Sequence, residues 1–330
     1  MLKVGINGFG RIGRMTMRAS MEHDDVKVVA INDLSDSSAL AHLFKYDSIY
    51  GILNADVKSD EEGFIIDGER VKYFSEKDPT KIPWKDAGVD VVIESTGVFT
   101  KRDAAAGHLD AGAKRVIISA PADVDVVLVL GVNDHFYDPD QHFVISNASC
   151  TTNGLSPLVK VLHDNFGIKK GLMNTTHAYT NDQNLHDFPH KDPRRARAAA
   201  LSLIPTTTGA AKTVDKIIPE LEGRIDGFAI RVPIPTVSLI DFVVDLEKPV
   251  TAESVNSAFK KAAEGSPYLG YSDEPLVSVD YKGNSYSVTV DSMSTMVVGD
   301  TMVRVIGWYD NEWGYSKRLI DLAAMIGSKE

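Results

Sequence analysis

The N-terminal part of the chain alternates between strand-like and helical patterns. The apolar run LKVGIN leads into a glycine turn, RMTMRASMEH continues with helical periodicity, and VKVVAIND returns to a strand pattern. Apolar runs at 89–96, 113–120 and 141–149 follow, separated by helical stretches such as 102–111. This order predicts an α/β domain with a doubly wound parallel sheet over residues 1–149.

The pattern changes at residue 150, where a helix is predicted to run to Gly167, a residue suited to a C-cap. The apolar face of this helix is formed by Leu155, Leu158, Val159, Leu162 and Phe166. Runs at 228–247, 284–299 and 301–311 have the composition of long strands with hairpin punctuation. They predict an α+β domain with a mainly antiparallel sheet.

The second domain is predicted to span 150–312, and an amphipathic helix at about 313–330 is expected to complete the first domain. Inside the second domain, the stretch 180–200 is polar. Its first part shows neither strand nor helical periodicity. Loops of this length are usually functional.

Composition narrows the classes of function. The 330 residues carry a formal net charge of −11, whereas nucleic-acid-binding proteins usually present a basic face, so no nucleic-acid partner is expected. No apolar run approaches the ~20 residues of a membrane span, and no signal peptide is recognisable, which predicts a cytoplasmic protein without membrane attachment. One Cys and nine scattered His form no metal-ligand pattern, so no metal is predicted.

Gly8, Gly10 and Gly13 form the pattern G-x-G-x-x-G between a predicted strand and a predicted helix. In a Rossmann domain these glycines allow the tight turn, the approach of a pyrophosphate and close helix packing. Asp33 follows Gly13 by twenty residues, where its carboxylate can bind an adenosine ribose and would repel a 2′-phosphate. NAD is therefore the predicted cofactor. The alternatives are glycines that merely turn the chain and a solvated Asp at a strand end.

Cys150, the only cysteine, lies in SNASCTTNGL, where the second helical pattern begins. Free N–H groups and the helix dipole there stabilise a thiolate, which predicts a nucleophile; the alternative is an inert buried thiol. The polar neighbours Ser149 and Thr151 suit an anion better than an apolar pocket. A proton acceptor is also needed. His177 is preferred over His163, which points away along the same helix, although a purely structural His177 is the alternative.

Cations and hydroxyls able to hold phosphate occur in DPRRARAAA and IPTTTGAAK, and Arg231 lies inside an apolar strand, where a guanidinium needs an acceptor. Plain salt bridges or a subunit contact are the alternatives. The residues alone predict a thiol-dependent NAD oxidoreductase that acts on a phosphorylated aldehyde.

From about Lys3 to about Ile326, the chain resembles phosphorylating glyceraldehyde-3-phosphate dehydrogenases of the bacterial type, through NGFGRIGR, SNASCTTN, THAYTND, RRARAAA, IPTTTGAAK and WYDNEWGYS. The resemblance implies reversible, NAD-dependent phosphorylating oxidation of D-glyceraldehyde 3-phosphate to 1,3-bisphosphoglycerate, in glycolysis or gluconeogenesis. It implies that Cys150 forms a thiohemiacetal and then a thioester, that His177 assists proton transfer, and that inorganic phosphate releases the product. It also implies a homotetramer whose S-loop is the stretch 180–200.

The resemblance assigns further site residues. Arg11 and Ile12 are implied at the pyrophosphate, and the other implied cofactor-binding residues are Gly8, Gly10, Gly13, Asp33, Lys77, Thr96, Ser119, Asn311 and Tyr315. Thr180 and Arg231 are implied to hold the substrate phosphate, with Asp182 orienting Arg231. The implied inorganic phosphate site consists of Ser149, Thr151, Arg195, Thr208 and Gly209. The alternative functions are an erythrose-4-phosphate dehydrogenase and a non-catalytic NAD-binding protein.

Overall fold

The computed structural model describes residues 1–329 and divides into two compact units. The first unit comprises 1–128, 135–148 and the stretch from Ser316 onward, and the second comprises 129–134 and 149–315. Each unit contains its own large sheet. No helix in the described part of the chain is both long and apolar enough to cross a membrane.

The first unit is built around a nine-stranded sheet. Its elements in chain order are β1 (Leu2–Asn7), α1 (Arg11–Ser20), β2 (Val26–Asn32), α2 (Ser37–Lys45), β3 (Tyr46–Asp47), β4 (Gly51–Ile52), β5 (Val57–Asp60), β6 (Gly63–Ile66), β7 (Glu69–Phe74), α3 (Trp84–Ala87), β8 (Val91–Glu94), α4 (Arg102–Asp110), β9 (Arg115–Ile118), β10 (Val126–Val127) and β11 (Val144–Ser146). Strands β3 and β4 form a separate two-stranded sheet.

The large sheet has the order β10-β11-β9-β8-β1-β2-β7-β6-β5. Every pair from β10 to β7 is parallel, which confirms the doubly wound parallel sheet predicted from the sequence. The central strands β1 and β8 are covered on both faces, and Ile6 and Ile93 are fully buried. The strands β5 to β7 pair antiparallel at one edge and were not predicted, because β5 and β7 are mainly polar and the apolar run of β6 is only three residues long.

The second unit combines three helices with a seven-stranded sheet. Its elements are α5 (Cys150–Phe166), β12 (Ile168–Ala178), β13 (Ile204–Thr207), α6 (Ala210–Ile217), β14 (Ile225–Val232), β15 (Ser238–Leu246), α7 (Ala252–Ala263), β16 (Leu269–Ser272), β17 (Val288–Val298) and β18 (Met302–Tyr309). The strand order is β13-β14-β12-β15-β18-β17-β16, and only β12–β14 and β16–β17 are parallel. The mainly antiparallel sheet is thus confirmed.

The last helix, α8 (Trp313–Gly327), belongs to the first unit from Ser316 onward. It packs against β1 so closely that a Cβ on Gly327 would lie 2.8 Å from Leu2 Cδ1. Glu330, the end of the predicted C-terminal helix, lies outside the described residues.

Candidate active site

The glycine turn between β1 and α1 is crowded on one side and open on the other. Gly8 has a φ of 90°, and a Cβ there would lie 2.7 Å from Thr96 N. A Cβ on Gly13 would lie 2.2 Å from Gly8 O, so no larger residue fits at Gly13. A Cβ on Gly10 would meet no heavy atom within 4 Å. The open side adjoins the first turn of α1, where free N–H groups attract an anion, and it therefore fits a pyrophosphate.

A cavity of about 380 Å³ opens beside this turn within the first unit. Five of the predicted cofactor residues line it, namely Gly8, Gly10, Asp33, Lys77 and Thr96. The Asp33 carboxylate is held in place because Oδ2 accepts from Phe9 N at 2.7 Å and Oδ1 accepts from Ser35 N at 2.9 Å. The structure thus brings the glycine turn and the strand-end Asp to one cavity, as the spacing predicted.

Other predicted cofactor residues take positions around this turn. Arg11 and Ile12 begin α1, and the Arg11 guanidinium forms an ion pair with the buried carboxylate of Asp47, a partner that the sequence did not indicate. Ser119 follows β9, and its N–H donates to Glu94 O at 2.9 Å. Arg11 can therefore contribute its backbone N–H to the turn while its side chain is engaged elsewhere.

In the second unit, Cys150 is the first residue of α5 and is partly buried. Ser149 is the N-cap, and its Oγ accepts from Thr152 N at 3.0 Å, which explains why the helix starts at the thiol. Cys150 Sγ lies 3.5 Å from Nε2 of His177, near the end of β12. His163 lies in the last turn of α5, where its Nδ1 accepts from Ile168 N. The structure therefore pairs the thiol with His177, the preferred candidate.

Two neighbours of His177 Nδ1 favour opposite tautomers. The carbonyl oxygen of Ala178, which only accepts, lies 2.7 Å from Nδ1, and NH1 of Arg231, which only donates, lies 2.9 Å from it. When the proton is on Nδ1, Nε2 is unprotonated and accepts from the thiol. The ring also packs edge-on against Tyr309, with centroids 6.0 Å apart. This arrangement suits a base acting on Cys150.

Burial and the charge of Arg231 both act on the pKa values of the pair. Burial is the main influence and raises the pKa of the Cys150 thiol, although the Arg231 guanidinium and the N–H groups of the first helical turn act in the opposite direction. Burial, assisted by Arg231, lowers the pKa of His177 to about 3. Burial thus favours the neutral forms of both groups, a thiol and an imidazole that can remove its proton as the sulfur reacts.

Arg231 lies next to His177, because β14 runs parallel to β12 with these two residues in register. Its NH1 donates to Ala178 O at 3.1 Å and to Thr180 Oγ1 at 3.4 Å, and it lies 2.9 Å from His177 Nδ1. NH2 has no hydrogen bond to any of residues 1–329. The cation predicted to need an acceptor thus keeps a free donor group beside Cys150, which suits an anionic substrate.

Asp182 does not pair with Arg231, contrary to the expectation that it orients this Arg. Its carboxylate forms an ion pair with NH1 of Arg195 and lies 3.6 Å from Nε2 of His190. Arg195 also donates from Nε to Thr206 Oγ1 at 2.7 Å. Asp182 and Arg195 both lie in the loop after β12 and pair there, while Asp182 acts on Arg231 only through its charge, which raises the pKa of the guanidinium.

The remaining predicted phosphate residues lie at two helix N-termini. Thr151 occupies the first turn of α5, while Gly209 is the N-cap of α6 and Thr208 Oγ1 accepts from Ala210 N at 3.2 Å. A Cβ on Gly209 would meet no atom within 4 Å. Free N–H groups at both helix starts, with hydroxyls beside them, are a typical anion-binding arrangement.

Two family models match the chain and together cover most of it. Residues 2–102 match the glyceraldehyde 3-phosphate dehydrogenase NAD binding domain, and residues 149–311 match the C-terminal domain of the same family. The chain belongs to the glyceraldehyde-3-phosphate dehydrogenase family. The cavity beside the glycine turn consequently lies in the family's NAD-binding domain.

Full-length relatives agree with the family assignment. The chain is 58% identical over 331 residues to the glyceraldehyde-3-phosphate dehydrogenase of Geobacillus stearothermophilus, with 99% of each chain covered. It is also 58% identical over 331 residues, with 99% of each covered, to glyceraldehyde-3-phosphate dehydrogenase 1 of Bacillus subtilis (strain 168). For glyceraldehyde-3-phosphate dehydrogenase 2 of Streptomyces avermitilis, identity is 56% over 332 residues, again with 99% of each covered.

Within this glyceraldehyde-3-phosphate dehydrogenase fold, Asn311 and Tyr315 belong to the second unit and are buried. Ser238 Oγ accepts from Ala178 N at 3.1 Å and donates to Asn311 Oδ1 at 2.9 Å. This fixes the Asn311 oxygen toward Ser238 and turns its NH₂ group the other way. No role was predicted for Ser238, because only the tertiary structure connects it to the site.

Tyr309 is a second site neighbour that the sequence did not single out. Its hydroxyl lies 2.9 Å from Thr151 Oγ1 and 2.9 Å from Thr175 Oγ1, so it joins α5 to β12. Burial raises its pKa well above the ordinary value, so the hydroxyl stays neutral. Tyr309 lies in the WYDNEWGYS segment, and the family resemblance of that segment is the sequence signal that could have pointed to it.

Proposed function

We propose that this chain oxidises D-glyceraldehyde 3-phosphate to 1,3-bisphosphoglycerate with NAD and inorganic phosphate, in a reversible step of glycolysis or gluconeogenesis. The observation that carries the proposal is the Cys150–His177 pair, with 3.5 Å between Sγ and Nε2, next to the Arg231 cation. Family membership and relatives of that name support the same reaction.

In the first step, Cys150 Sγ attacks the aldehyde carbon and the thiol proton passes through His177 Nε2 to the former carbonyl oxygen, giving a thiohemiacetal. When the carbon is oxidised, His177 takes the hydroxyl proton and the carbonyl of a thioester forms. NAD supplies the hydride acceptor for this oxidation when it is bound. Phosphate oxygen then attacks the thioester carbon, the sulfur leaves, and His177 returns a proton to it.

Two sets of residues would hold the two phosphates. Thr180 and Arg231 would bind the phosphate of the triose, since NH1 of Arg231 donates to Thr180 Oγ1 and the positive charge of Arg231 acts on Cys150. The inorganic phosphate would bind to Arg195 and to the helix starts described above, through Ser149, Thr151, Thr208 and Gly209. Asp182 would position Arg195 through their ion pair.

NAD would be bound by the cofactor residues predicted from the sequence. The turn at Gly8, Gly10, Arg11, Ile12 and Gly13 would bind its pyrophosphate, and Asp33, Lys77 and Thr96 would bind the adenosine portion. Ser119, Asn311 and Tyr315 would bind near the nicotinamide, with the Asn311 NH₂ group donating to the carboxamide oxygen.

The dependence on phosphate tests this function. Purified protein would be given D-glyceraldehyde 3-phosphate and NAD with and without inorganic phosphate, and NADH formation would be followed. We expect sustained turnover only with phosphate. A rate that does not respond to phosphate, or a preference for erythrose 4-phosphate with hydrolysis of the acyl enzyme, would contradict the proposal.

We further propose a cytoplasmic homotetramer. One face of the sheet in the second unit exposes apolar side chains, which is unusual for a surface meant for water. Burial of that face against another copy of the chain would remove it from solvent.

A further inference from the structure

A network of buried polar side chains connects strand ends beside the NAD cavity. Asn7 ends β1, Asn32 ends β2 and Glu94 ends β8, and each is at most 2% exposed. His108, from α4, is fully buried against Glu94. Buried polar groups of this kind are costly unless every hydrogen bond is made, so the direction of each bond can be followed.

Glu94 accepts from four directions. Its Oε2 accepts from Asn7 Nδ2 at 2.5 Å and lies 3.0 Å from His108 Nε2. Its Oε1 accepts from the backbone N–H of Thr96 at 2.8 Å and from the Thr96 hydroxyl. The orientation of Asn7 and His108 decides whether both side chains donate to Oε2.

The Trp84 indole fixes the first of these bonds. Trp84 Nε1 can only donate, and it lies 3.0 Å from His108 Nδ1, so Nδ1 must accept. The proton of the neutral ring is therefore on Nε2, which donates to Glu94. A second proton on this imidazole would remove the acceptor of the indole.

The backbone at Glu76 fixes the second bond. Glu76 N–H donates to Asn32 Oδ1 at 2.8 Å, so the Asn32 amide is oriented with Nδ2 as donor. Nδ2 donates to Glu76 O at 2.9 Å and to Asn7 Oδ1 at 2.8 Å. The Asn7 Nδ2 group must then face Glu94 as a donor. Both ends of the network thus make Oε2 an acceptor, and Oε1 accepts from the Thr96 N–H, an arrangement that a carboxylate satisfies and an amide does not.

The groups that Glu94 holds are part of the cavity wall. Asn7, Asn32, Glu76 and Thr96 all line it, as does Phe99, whose ring packs edge-on against His108 at 6.3 Å. We propose that Glu94 is a positioning residue for the cofactor, whose ionised carboxylate orders Asn7 and Thr96 in the adenosine-side wall of the site. This inference rests on the proposed use of NAD. It predicts that charge at position 94 sets cofactor affinity without any contact between Glu94 and the reacting atoms.

The test is the substitution Glu94→Gln, which keeps the shape of the side chain. Its NH₂ group would face either the donors that now contact Oε1 or those that contact Oε2. Asp125→Asn is the matched control, because Asp125 also accepts two backbone N–H groups in the first unit, from Phe143 and Val144, and does not line the cavity. Dissociation constants for NAD and for ADP-ribose would be measured by calorimetry. The KM for the aldehyde and the rate of Cys150 labelling by iodoacetamide would be measured alongside.

For Glu94→Gln we expect both dissociation constants to rise by about ten- to a hundredfold, since an unpaired buried donor forces the cavity wall to move. Aldehyde KM, labelling rate and the ligand affinities of Asp125→Asn should stay within about twofold of wild type. Glu94→Asp, which keeps the charge on a shorter side chain, should weaken NAD less than Gln does.

Three results would overturn the inference. The first is wild-type NAD affinity in a folded Glu94→Gln protein. The second is a change of equal size in cofactor affinity, aldehyde KM and labelling rate, and the third is failure of both the Gln and the Asp variants to fold. Absence of NAD binding by the wild-type protein would instead refute the proposed function, so the two failures are distinguishable.

Discussion

The Arg231 side chain acts on both members of the Cys150–His177 pair, and in different senses. Its positive charge lowers the pKa of the Cys150 thiol and so favours the thiolate. It also lowers the pKa of His177, which disfavours the imidazolium that forms when the proton moves. A substrate phosphate that neutralises this cation would therefore make His177 more basic at the moment when a base is needed.

Replacement of Arg231 should shift the pH profile of Cys150 alkylation. The rate of labelling by iodoacetamide rises with pH as thiolate forms, and without the cation the pKa of Cys150 rises further. In Arg231→Gln the inflection should move to higher pH and labelling at pH 8 should slow by about threefold to tenfold, since one pKa unit changes the thiolate fraction tenfold. Arg70→Gln, which removes an exposed arginine of the first unit paired with Asp60, is the control. An unmoved inflection would contradict this account.

Cys150→Ser should separate binding from chemistry. A serine hydroxyl is a much weaker nucleophile and cannot form the thioester, so kcat should fall by at least about 10⁴-fold. The dissociation constant for NAD, measured by calorimetry, should remain close to that of wild type. Turnover near the wild-type rate in Cys150→Ser would show that Cys150 is not the nucleophile and would favour the alternative of an inert buried thiol.

At the scale of elements, the turn between β1 and α1 allows two glycines to be compared. Gly13→Ala should destabilise the fold by several kcal/mol or prevent folding, because the new Cβ would lie 2.2 Å from a backbone oxygen that cannot move away. Gly10→Ala should leave the thermal unfolding midpoint nearly unchanged, since its φ of −73° suits alanine and the space is open. It should nevertheless weaken NAD binding by at least about tenfold, as the methyl group occupies the pyrophosphate side. Equal effects of the two variants on stability would contradict this account of which side of the turn is crowded.

Some features of the site could be predicted from local sequence signals. Glycine spacing predicts that one helix begins at Arg11, and a Ser N-cap predicts that another begins at Cys150. The position of Asp33 at the end of a strand predicts that it lies at the cavity. The pairing of Asp182 with Arg195 could not be predicted in this way, since it depends on how a nonrepetitive loop folds back on itself. The edge strands β5 to β7 were missed for a related reason. They are held by pairing with neighbouring strands, while β5 and β7 are mainly polar and the apolar run of β6 is only three residues long.

On the scale of the whole protein, the notable surface is a face of the second unit's sheet that exposes apolar side chains. Leu172 on β12 is directly opposite Val243 on β15, and both are exposed, whereas Met173 and Phe242 on the sheet's other face are buried. The strand register places more exposed apolar residues on this face, namely Phe228, Met296, Val298 and Met302, together with the ion pair of Arg304 and Asp241. Exposed apolar residues grouped on β-strands in this way are typical of a subunit interface.

The proposed homotetramer predicts that a charge on this face changes the assembly. In Leu172→Glu, a side chain that is 69% exposed in the single chain would carry a charge into an apolar interface, where it would lack a partner. Light scattering coupled to gel filtration should show a tetramer for the wild type and dimers or monomers for the variant. Met21→Glu, at an exposed apolar residue of the first unit that follows α1, should leave the tetramer intact. A wild-type monomer, or a tetramer that tolerates Leu172→Glu, would contradict the assignment of this face. In the latter case the exposed loop residues Leu185 and Phe188, both more than half exposed, would be the next positions at which contact between copies should be sought.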